Sequence, residues 1–199
     1  MRLFVGIPLA DAARRQLEAV VDGLRSSVSG LRWTAPDSWH ITLQFLGNAT
    51  AEQLECLKAR LGEVRAEAVP VKLGELGSFD RAGVLVVDVP ATRELAALER
   101  AVVAATAQCG FAAEMREFHP HITLARKAGF KRTGDRATPS GSKSFDAGLR
   151  GLMAGLRSQP RFTGFTAGEF VLFESHTEPD GARYEARLRV KLGAGAIQR

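Results

Sequence analysis

At 199 residues, with 45% hydrophobic and 25% charged side chains, the chain has an ordinary globular composition, which excludes disorder throughout and allows a sizeable core in one domain or two joined lobes. No apolar run approaches membrane-spanning length, and the formal net charge is +5. Two cysteines, Cys56 and Cys109, fit no metal spacing, and the reading adopted for them is reduced thiols of a cytoplasmic protein.

The run Leu3 to Ala10 is interrupted by Pro8 and followed at once by Asp11, Arg14 and Arg15, so it reads as a first strand rather than a signal segment. Leu3, Val5 and Ile7 alternate with Phe4 and Gly6, which gives a strand apolar on both faces and inside a sheet. Asp11 is placed to cap a helix carrying Leu17, Val20, Val21, Leu24 and Val28, ended by Gly30. Leu31 to Trp33 is a short extended piece, and Pro36, Asp37 and Ser38 turn the chain into a strand starting near His40. Thr50 and Gln53 have capping-box spacing, and Leu54, Leu57, Leu61 and Val64 make one stripe on a helix expected to reach about Glu67. Val69–Leu76 and Gly83–Val89 read as two strands. Thr92 and Glu94 open a third helix, with Leu95, Leu98 and Val102 inward and Gly110 at its end. A second strand resembling the one at His40 follows, and Phe162–Glu174 with Ala182–Leu192 reads as a closing hairpin turned at Pro179, Asp180 and Gly181.

Residues 127–161 break this pattern. They are rich in Gly and Ser and carry eight basic residues against Asp135 and Asp146, a net +6 in a chain whose total is +5. A solvated loop accounts for such a basic insertion; so does a mobile lid that attracts a polyanion. Leu149, Leu152, Met153 and Leu156 have the spacing of a short amphipathic helix within it.

The chemistry lies in a repeated tetrapeptide. His40-Ile41-Thr42-Leu43 and His121-Ile122-Thr123-Leu124 are identical, and each sits in a short apolar run of strand character. On a strand, His40 and Thr42 share one face while Ile41 and Leu43 take the other, and the second copy repeats the arrangement. Two such pairs brought together offer two acid/base groups and two hydroxyl donors, a set suited to in-line displacement at a phosphodiester. One lone histidine on a strand is usually structural; two with matched threonines are not easily so explained. His119, before Pro120, reads as a strand-entry residue and His176 as a loop residue. Trp33 and Trp39 suit core packing better than base stacking. Arg126 has the opposite parity to His121 on an ideal strand, but its guanidinium at the strand's end can curl round to grip a phosphate.

These paired motifs, with Phe45-Leu46-Gly47 after the first and Ala125-Arg126 after the second, resemble the signatures of the two-histidine phosphoesterases, specifically the bacterial and archaeal RNA 2′,3′-cyclic phosphodiesterases, also named 2′-5′ RNA ligases. The likeness extends to the opening strand Arg2 to Ile7 and to the segments Phe173 to Ser175 and Gly181 to Tyr184. It implies a bilobal, duplicated α+β fold over residues 1–199 with pseudo-two-fold symmetry, mostly antiparallel sheets lining a central cleft, and helices outside. It also implies His40 and His121 as catalytic residues, with Thr42, Thr123 and Arg126 holding the phosphate. No metal or other cofactor is implied. The long basic segment after Arg126 departs from the compact family pattern.

The expected reaction is hydrolysis of RNA 2′,3′-cyclic phosphate ends, tRNA fragments among them, to 2′-phosphates by a cytoplasmic monomer. The resemblance implies a 2′-phosphate product, so that the 3′-oxygen leaves. The near-identical local sequences do not say which histidine is which; the expectation adopted is His40 as the acid beside that oxygen and His121 as the base on water, with weak reverse 2′-5′ ligation allowed by microscopic reversibility. Three alternatives stand beside this. A metallohydrolase would need ligands that the motifs do not supply. A non-catalytic RNA-end-binding module, which the basic segment makes possible, would bind RNA ends without turning over any cyclic phosphate. A related enzyme would act on a small cyclic nucleotide such as ADP-ribose 1″,2″-cyclic phosphate.

Overall fold

The computed structural model describes residues 1–26, 30–79, 82–128, 161–178 and 181–193. In chain order the elements are β1 (Arg2–Pro8), α1 (Asp11–Arg25), β2 (Leu31–Trp33), a 3-10 turn (Pro36–Ser38), β3 (His40–Asn48), α2 (Ala51–Gly62) and β4 (Val69–Val71). There follow β5 (Leu76–Phe79), β6 (Val84–Asp88), α3 (Arg93–Ala107), β7 (His121–Lys127), β8 (Phe165–Ala167), β9 (Glu169–Glu178) and β10 (Gly181–Lys191). The bulk of the basic segment, with its amphipathic stretch at Leu149 to Leu156, lies outside the described residues, as does Val28.

The fold is α+β, and the pairings among the described strands are antiparallel. Seven strands run in the order β10, β9, β1, β3, β7, β6, β5, with β2 also paired to β7, while β4 and β8 form a separate ribbon. The two histidine strands meet at one rung, Ile41 opposite Ile122. Because these are equivalent positions of the repeated motif, the pseudo-two-fold axis passes through that rung. Farther along, β7 pairs with β2 instead, from Trp33 opposite Ala125 to Leu31 opposite Lys127. The sheet is therefore two half-sheets joined at a single point.

One face of this sheet is buried under the helices. Leu3, Val5 and Ile7 of β1, Ile41 and Leu43 of β3, Ile122 and Leu124 of β7, and Leu85 and Val87 of β6 join a core cluster with Leu17 and Val21 of α1, Leu54 and Leu57 of α2, and Leu95 and Leu98 of α3. Alternation then leaves Phe4, Gly6, His40, Thr42, His121 and Thr123 on the opposite face. Trp39 is buried and Trp33 packs against the same cluster, as core-packing tryptophans should.

Several local expectations need correction. Asp11 is the first helical residue rather than the cap: Ala10 occupies the N-cap with no side-chain hydrogen bond, and the Asp11 carboxylate pairs with Arg14 at 2.8 Å. Helix α1 ends at Arg25, short of Gly30, which instead takes φ 77° in the turn before β2. The capping box at Thr50 and Gln53 forms in full, but α2 stops at Gly62, not Glu67. The segment Val69–Leu76 is not one strand: Val69–Val71 pairs with β8, and Leu76 begins β5 beside β6. The closing hairpin forms, but Phe165–Ala167 is split from β9 at Gly168 to pair with β4. His176 lies within β9 rather than in a loop.

The cysteines are not free thiols. Cys56, on α2, is bridged to Cys109, just past α3, with their Cα atoms 5.8 Å apart. The bridge spans 53 residues, so neither spacing nor local pattern signals it; packing of α2 against α3 creates the proximity.

Candidate active site

Strand β3 carries a β-bulge that decides which side chains enter the cleft. Against β1, Gly6 is opposite Thr42 and Val5 opposite Gln44, so Leu43 is an extra residue. The bulge inverts the parity beyond it. Gln44 is thereby turned into the core, 5% exposed, where Thr106 donates to its Oε1 at 2.6 Å and its amide donates to the Ala112 carbonyl at 3.3 Å. Phe45 is turned onto the face of His40 and Thr42, where it is 52% exposed.

Strand β7 repeats the device. Val86 is opposite Thr123 and Leu85 opposite Ala125, so Leu124 is the extra residue. Ala125 takes the core position equivalent to Gln44, fully buried, and Arg126 takes the cleft position equivalent to Phe45. The ideal-strand parity that left Arg126 outside the site is thus overturned by a bulge at the same motif position in both copies. His40, Thr42, His121, Thr123 and Arg126 consequently share one face, and the charges of His121 and Arg126 both act on His40.

Each imidazole is fixed the same way. His40 Nδ1 lies 2.8 Å from the Ser38 carbonyl and His121 Nδ1 lies 2.8 Å from the His119 carbonyl. A carbonyl only accepts, so Nδ1 donates in both rings, and Nε2 is left to take or give a proton.

The surroundings then differ. His40 is walled by aromatic rings: Phe4 at 4.6 Å between centroids, Tyr184 at 5.1 Å and perpendicular, and Phe173 at 6.1 Å. Burial pushes the His40 imidazole down to about 4; the Ser38 hydrogen bond opposes this, while the charges of His121 and Arg126 add to it. His121 is also lowered, by burial first, with the His119 hydrogen bond opposing, the His119 and Arg126 charges adding, and Asp88 opposing. Asp88 is directly across from His121 on β6 and is paired with His119 Nε2 at 3.1 Å. The ring of Phe79 stands edge-on to His121 at 4.7 Å. His119, expected only to lead into the strand, therefore also supplies the carbonyl that sets the His121 tautomer.

Some contributors are not marked as site residues by alternation or spacing, although the segments that carry them, Arg2 to Ile7 and Gly181 to Tyr184, belong to the family likeness. Gly6 is one: a Cβ there would stand 2.9 Å from the Ile41 carbonyl oxygen and 3.3 Å from His40 Cδ2, so only glycine lets the imidazole lie against β1. Tyr184, whose phenol is raised by burial against the charges of Arg126 and Arg2, comes from β10, far along the chain. Beside His40 a cavity of about 170 Å³ opens, lined by Ser38, Trp39, Phe173, Tyr184, Ala186 and Arg189 among others. Among the described residues no group of three His, Cys, Asp or Glu side chains is placed to hold a metal ion.

A duplicated α+β fold with one His-Ile-Thr-Leu strand from each half on a common face defines a two-histidine phosphoesterase. The model of the family described as LigT like phosphoesterase matches residues 7–86 and again 87–184, one match around each motif, and the chain belongs to that family. It is 30% identical over 194 residues to an RNA 2′,3′-cyclic phosphodiesterase of Bacillus subtilis, covering 95% of both chains, and 32% identical over 129 residues to one of Archaeoglobus fulgidus, covering 63% of this chain and 72% of the relative. Among solved structures, E. coli LigT complexed with 3′-AMP superposes with a TM-score of 0.71 at 26% identity, over 96% of this chain and 97% of the other.

Proposed function

We propose that the protein hydrolyses RNA 2′,3′-cyclic phosphate ends to 2′-phosphomonoesters by metal-independent acid/base catalysis through His40 and His121, with Thr42, Thr123 and Arg126 holding the phosphoryl oxygens. The observation that carries the reading is the pair of equivalent imidazoles, each with Nδ1 committed to the carbonyl two residues back, in a cleft whose bulges add Arg126. The names of the B. subtilis and A. fulgidus relatives support the same substrate class.

The phosphodiester lies between the two Nε2 atoms, its charge met by the guanidinium and the two hydroxyls. Water is deprotonated by one imidazole and attacks phosphorus; the P–O3′ bond opposite breaks, and the other imidazole protonates O3′. The aromatic wall and the cavity both lie on the His40 side, which suits the nucleoside and hence its leaving oxygen. His121 is the more open of the two, which suits water. His40 therefore acts as acid and His121 as base. With its value lowered to about 4, His40 is neutral near pH 7; a bound phosphodiester anion favours its protonated form, the state an acid requires. The same groups run backwards join a cyclic end to a 5′-hydroxyl, so weak 2′-5′ ligation accompanies hydrolysis.

Incubating the purified protein with oligonucleotide 2′,3′-cyclic phosphates, with and without exhaustive chelation, tests this. The expected product is the 2′-phosphate alone, formed at the same rate in both. A 3′-phosphate product, loss of turnover on chelation, or binding without turnover would each contradict it.

A further inference from the structure

The cleft face continues beyond the phosphate site, and its far end has no part in the reaction just derived. Along β1 and β3, Pro8 is opposite His40, Gly6 opposite Thr42, Phe4 opposite Phe45 and Arg2 opposite Asn48. Directly opposed residues share a face, so these pairs form a track leading from the catalytic histidine to Arg2 and Asn48. Both of those side chains are exposed. Phe45 lies on the way, and is one of few large apolar side chains exposed among the described residues. The Arg2 charge reaches the Tyr184 phenol from this end, as the Arg126 charge does from the other. No carboxylate among the described residues pairs with Arg2, whereas Arg14, Arg60, Arg187 and Arg189 all have such partners.

Building this track places a basic, hydrogen-bonding end about 13 Å of strand from the Thr42 rung, four residues along β1. That distance suits one nucleotide step bridged by a long arginine side chain reaching back toward the site. The exposed Phe45 ring between the two offers a flat, sequence-tolerant surface to a base, since every base has a π-face. A small cyclic nucleotide would leave the far end unused.

We propose that Arg2, with Asn48 beside it, binds the phosphate that joins the cyclic terminal nucleotide to the nucleotide before it, so that the site prefers RNA ends of two or more nucleotides over mononucleotides. This rests on the cyclic phosphodiesterase reading above and specifies its substrate. The contact is made to a phosphate rather than to a base edge, so it selects for chain length and not for sequence.

The test compares adenosine 2′,3′-cyclic phosphate with the dinucleotide ending in the same group, and with that dinucleotide carrying a neutral methylphosphonate in place of the linking phosphate. The dinucleotide should exceed the mononucleotide in kcat/KM by about tenfold, as a charge-assisted contact allows. Arg2→Gln and the methylphosphonate should each remove most of that advantage, and together should remove no more than either alone. Arg2→Lys should keep part of it. Raising the salt concentration should erode the advantage in the unaltered protein and not in Arg2→Gln. A dinucleotide advantage that persists in Arg2→Gln, or additive losses from the two changes, overturns the proposal. Calorimetric binding of the same mono- and dinucleotides ending in a 2′-phosphate reads the contact without turnover. Absence of hydrolysis with an Arg2-dependent dinucleotide preference in binding would sink the phosphodiesterase reading and leave this one standing.

Discussion

The two halves of the cleft start from the same tetrapeptide and the same bulge, yet one presents Phe45 where the other presents Arg126. Nor is the difference confined to that position. Around His40 the neighbours are Phe4, Phe173 and Tyr184; around His121 they are Phe79, His119 and Asp88. The duplicated backbone thus supplies symmetry where the chemistry needs two like groups, and the side chains outside the motif break it where the substrate is unlike at its two ends. On the proposed reading, the O3′ oxygen is released on the His40 side, its nucleoside still held by the 2′-phosphate, and water attacks from the His121 side.

The largest expected effect, among changes that spare the histidines, comes from the position where the halves diverge. Arg126→Ala should cost about 10²- to 10³-fold in kcat/KM on a cyclic phosphate, the loss typical of removing one preorganised donor from a developing negative charge, whereas Phe45→Ala should cost far less on a mononucleotide. Steady-state kinetics of both variants on one substrate decides whether the asymmetry is between phosphate and nucleoside. Equal losses would mean that it is not.

Gly6 sharpens the comparison from the His40 side. Its equivalent across the pseudo-two-fold axis is Val86, which is opposite Thr123 as Gly6 is opposite Thr42; a side chain is tolerated in one half and not in the other. Gly6→Ala should lower kcat by at least tenfold, roughly what a misplacement of less than an ångström at a catalytic group costs. Near wild-type unfolding midpoints alongside that loss would show that the imidazole, and not the fold, has been disturbed.

A smaller effect tests the support under the first bulge. Gln44 is buried because the bulge turns it inward, and Thr106 satisfies it. The second bulge turns in Ala125, which needs no partner. Thr106→Val should destabilise the protein by about 1–3 kcal/mol, the cost of leaving a buried polar group unsatisfied, measured by denaturant unfolding. Gln44→Leu combined with it should recover part of the loss.

The pH dependence is the gentlest probe. Activity needs one imidazole protonated and the other neutral, and in the free protein both are lowered, His40 to about 4. The singly protonated state therefore dominates below the ordinary histidine range with its proton mostly on His121, and the productive arrangement, His40 protonated and His121 neutral, is its minor form. The kcat/KM profile should still follow a bell centred on the acid side of pH 6.5, because both arrangements carry the same number of protons. Bound phosphodiester favours imidazolium, so the kcat bell should lie to the alkaline side of the kcat/KM bell. Coincident bells would contradict that coupling.

Much of this was legible in the chain. The repeat of His-Ile-Thr-Leu set the strands, the shared face and the duplication, because a two-residue period is a local property. The three helices followed from apolar spacing and from the caps at Thr50 and Thr92. What escaped was of another kind. The bulges at Leu43 and Leu124 depend on which strand lies alongside, so the parity of Phe45 and Arg126 could not be had from alternation. Tyr184, Asp88 and the Cys56–Cys109 bridge depend on elements distant in sequence being neighbours in space. Gly6 is noticed only once the His40 ring is seen against β1.

The central claim is that the halves play opposite parts, His40 as acid and His121 as base. Its most direct test is the activity of His40→Ala and His121→Ala on a natural cyclic phosphate and on an analogue whose leaving group at the 3′ position has a low pKa. An acid is needed only while the leaving oxygen is a poor one, so His40→Ala should lose about 10²- to 10⁴-fold on the natural substrate and regain much of it on the analogue. His121→Ala should stay slow on both, because water still needs a base. Rescue of His121→Ala in place of His40→Ala would reverse the roles, and rescue of neither, in variants that remain folded and bind the analogue, would contradict a division of acid and base between the two strands.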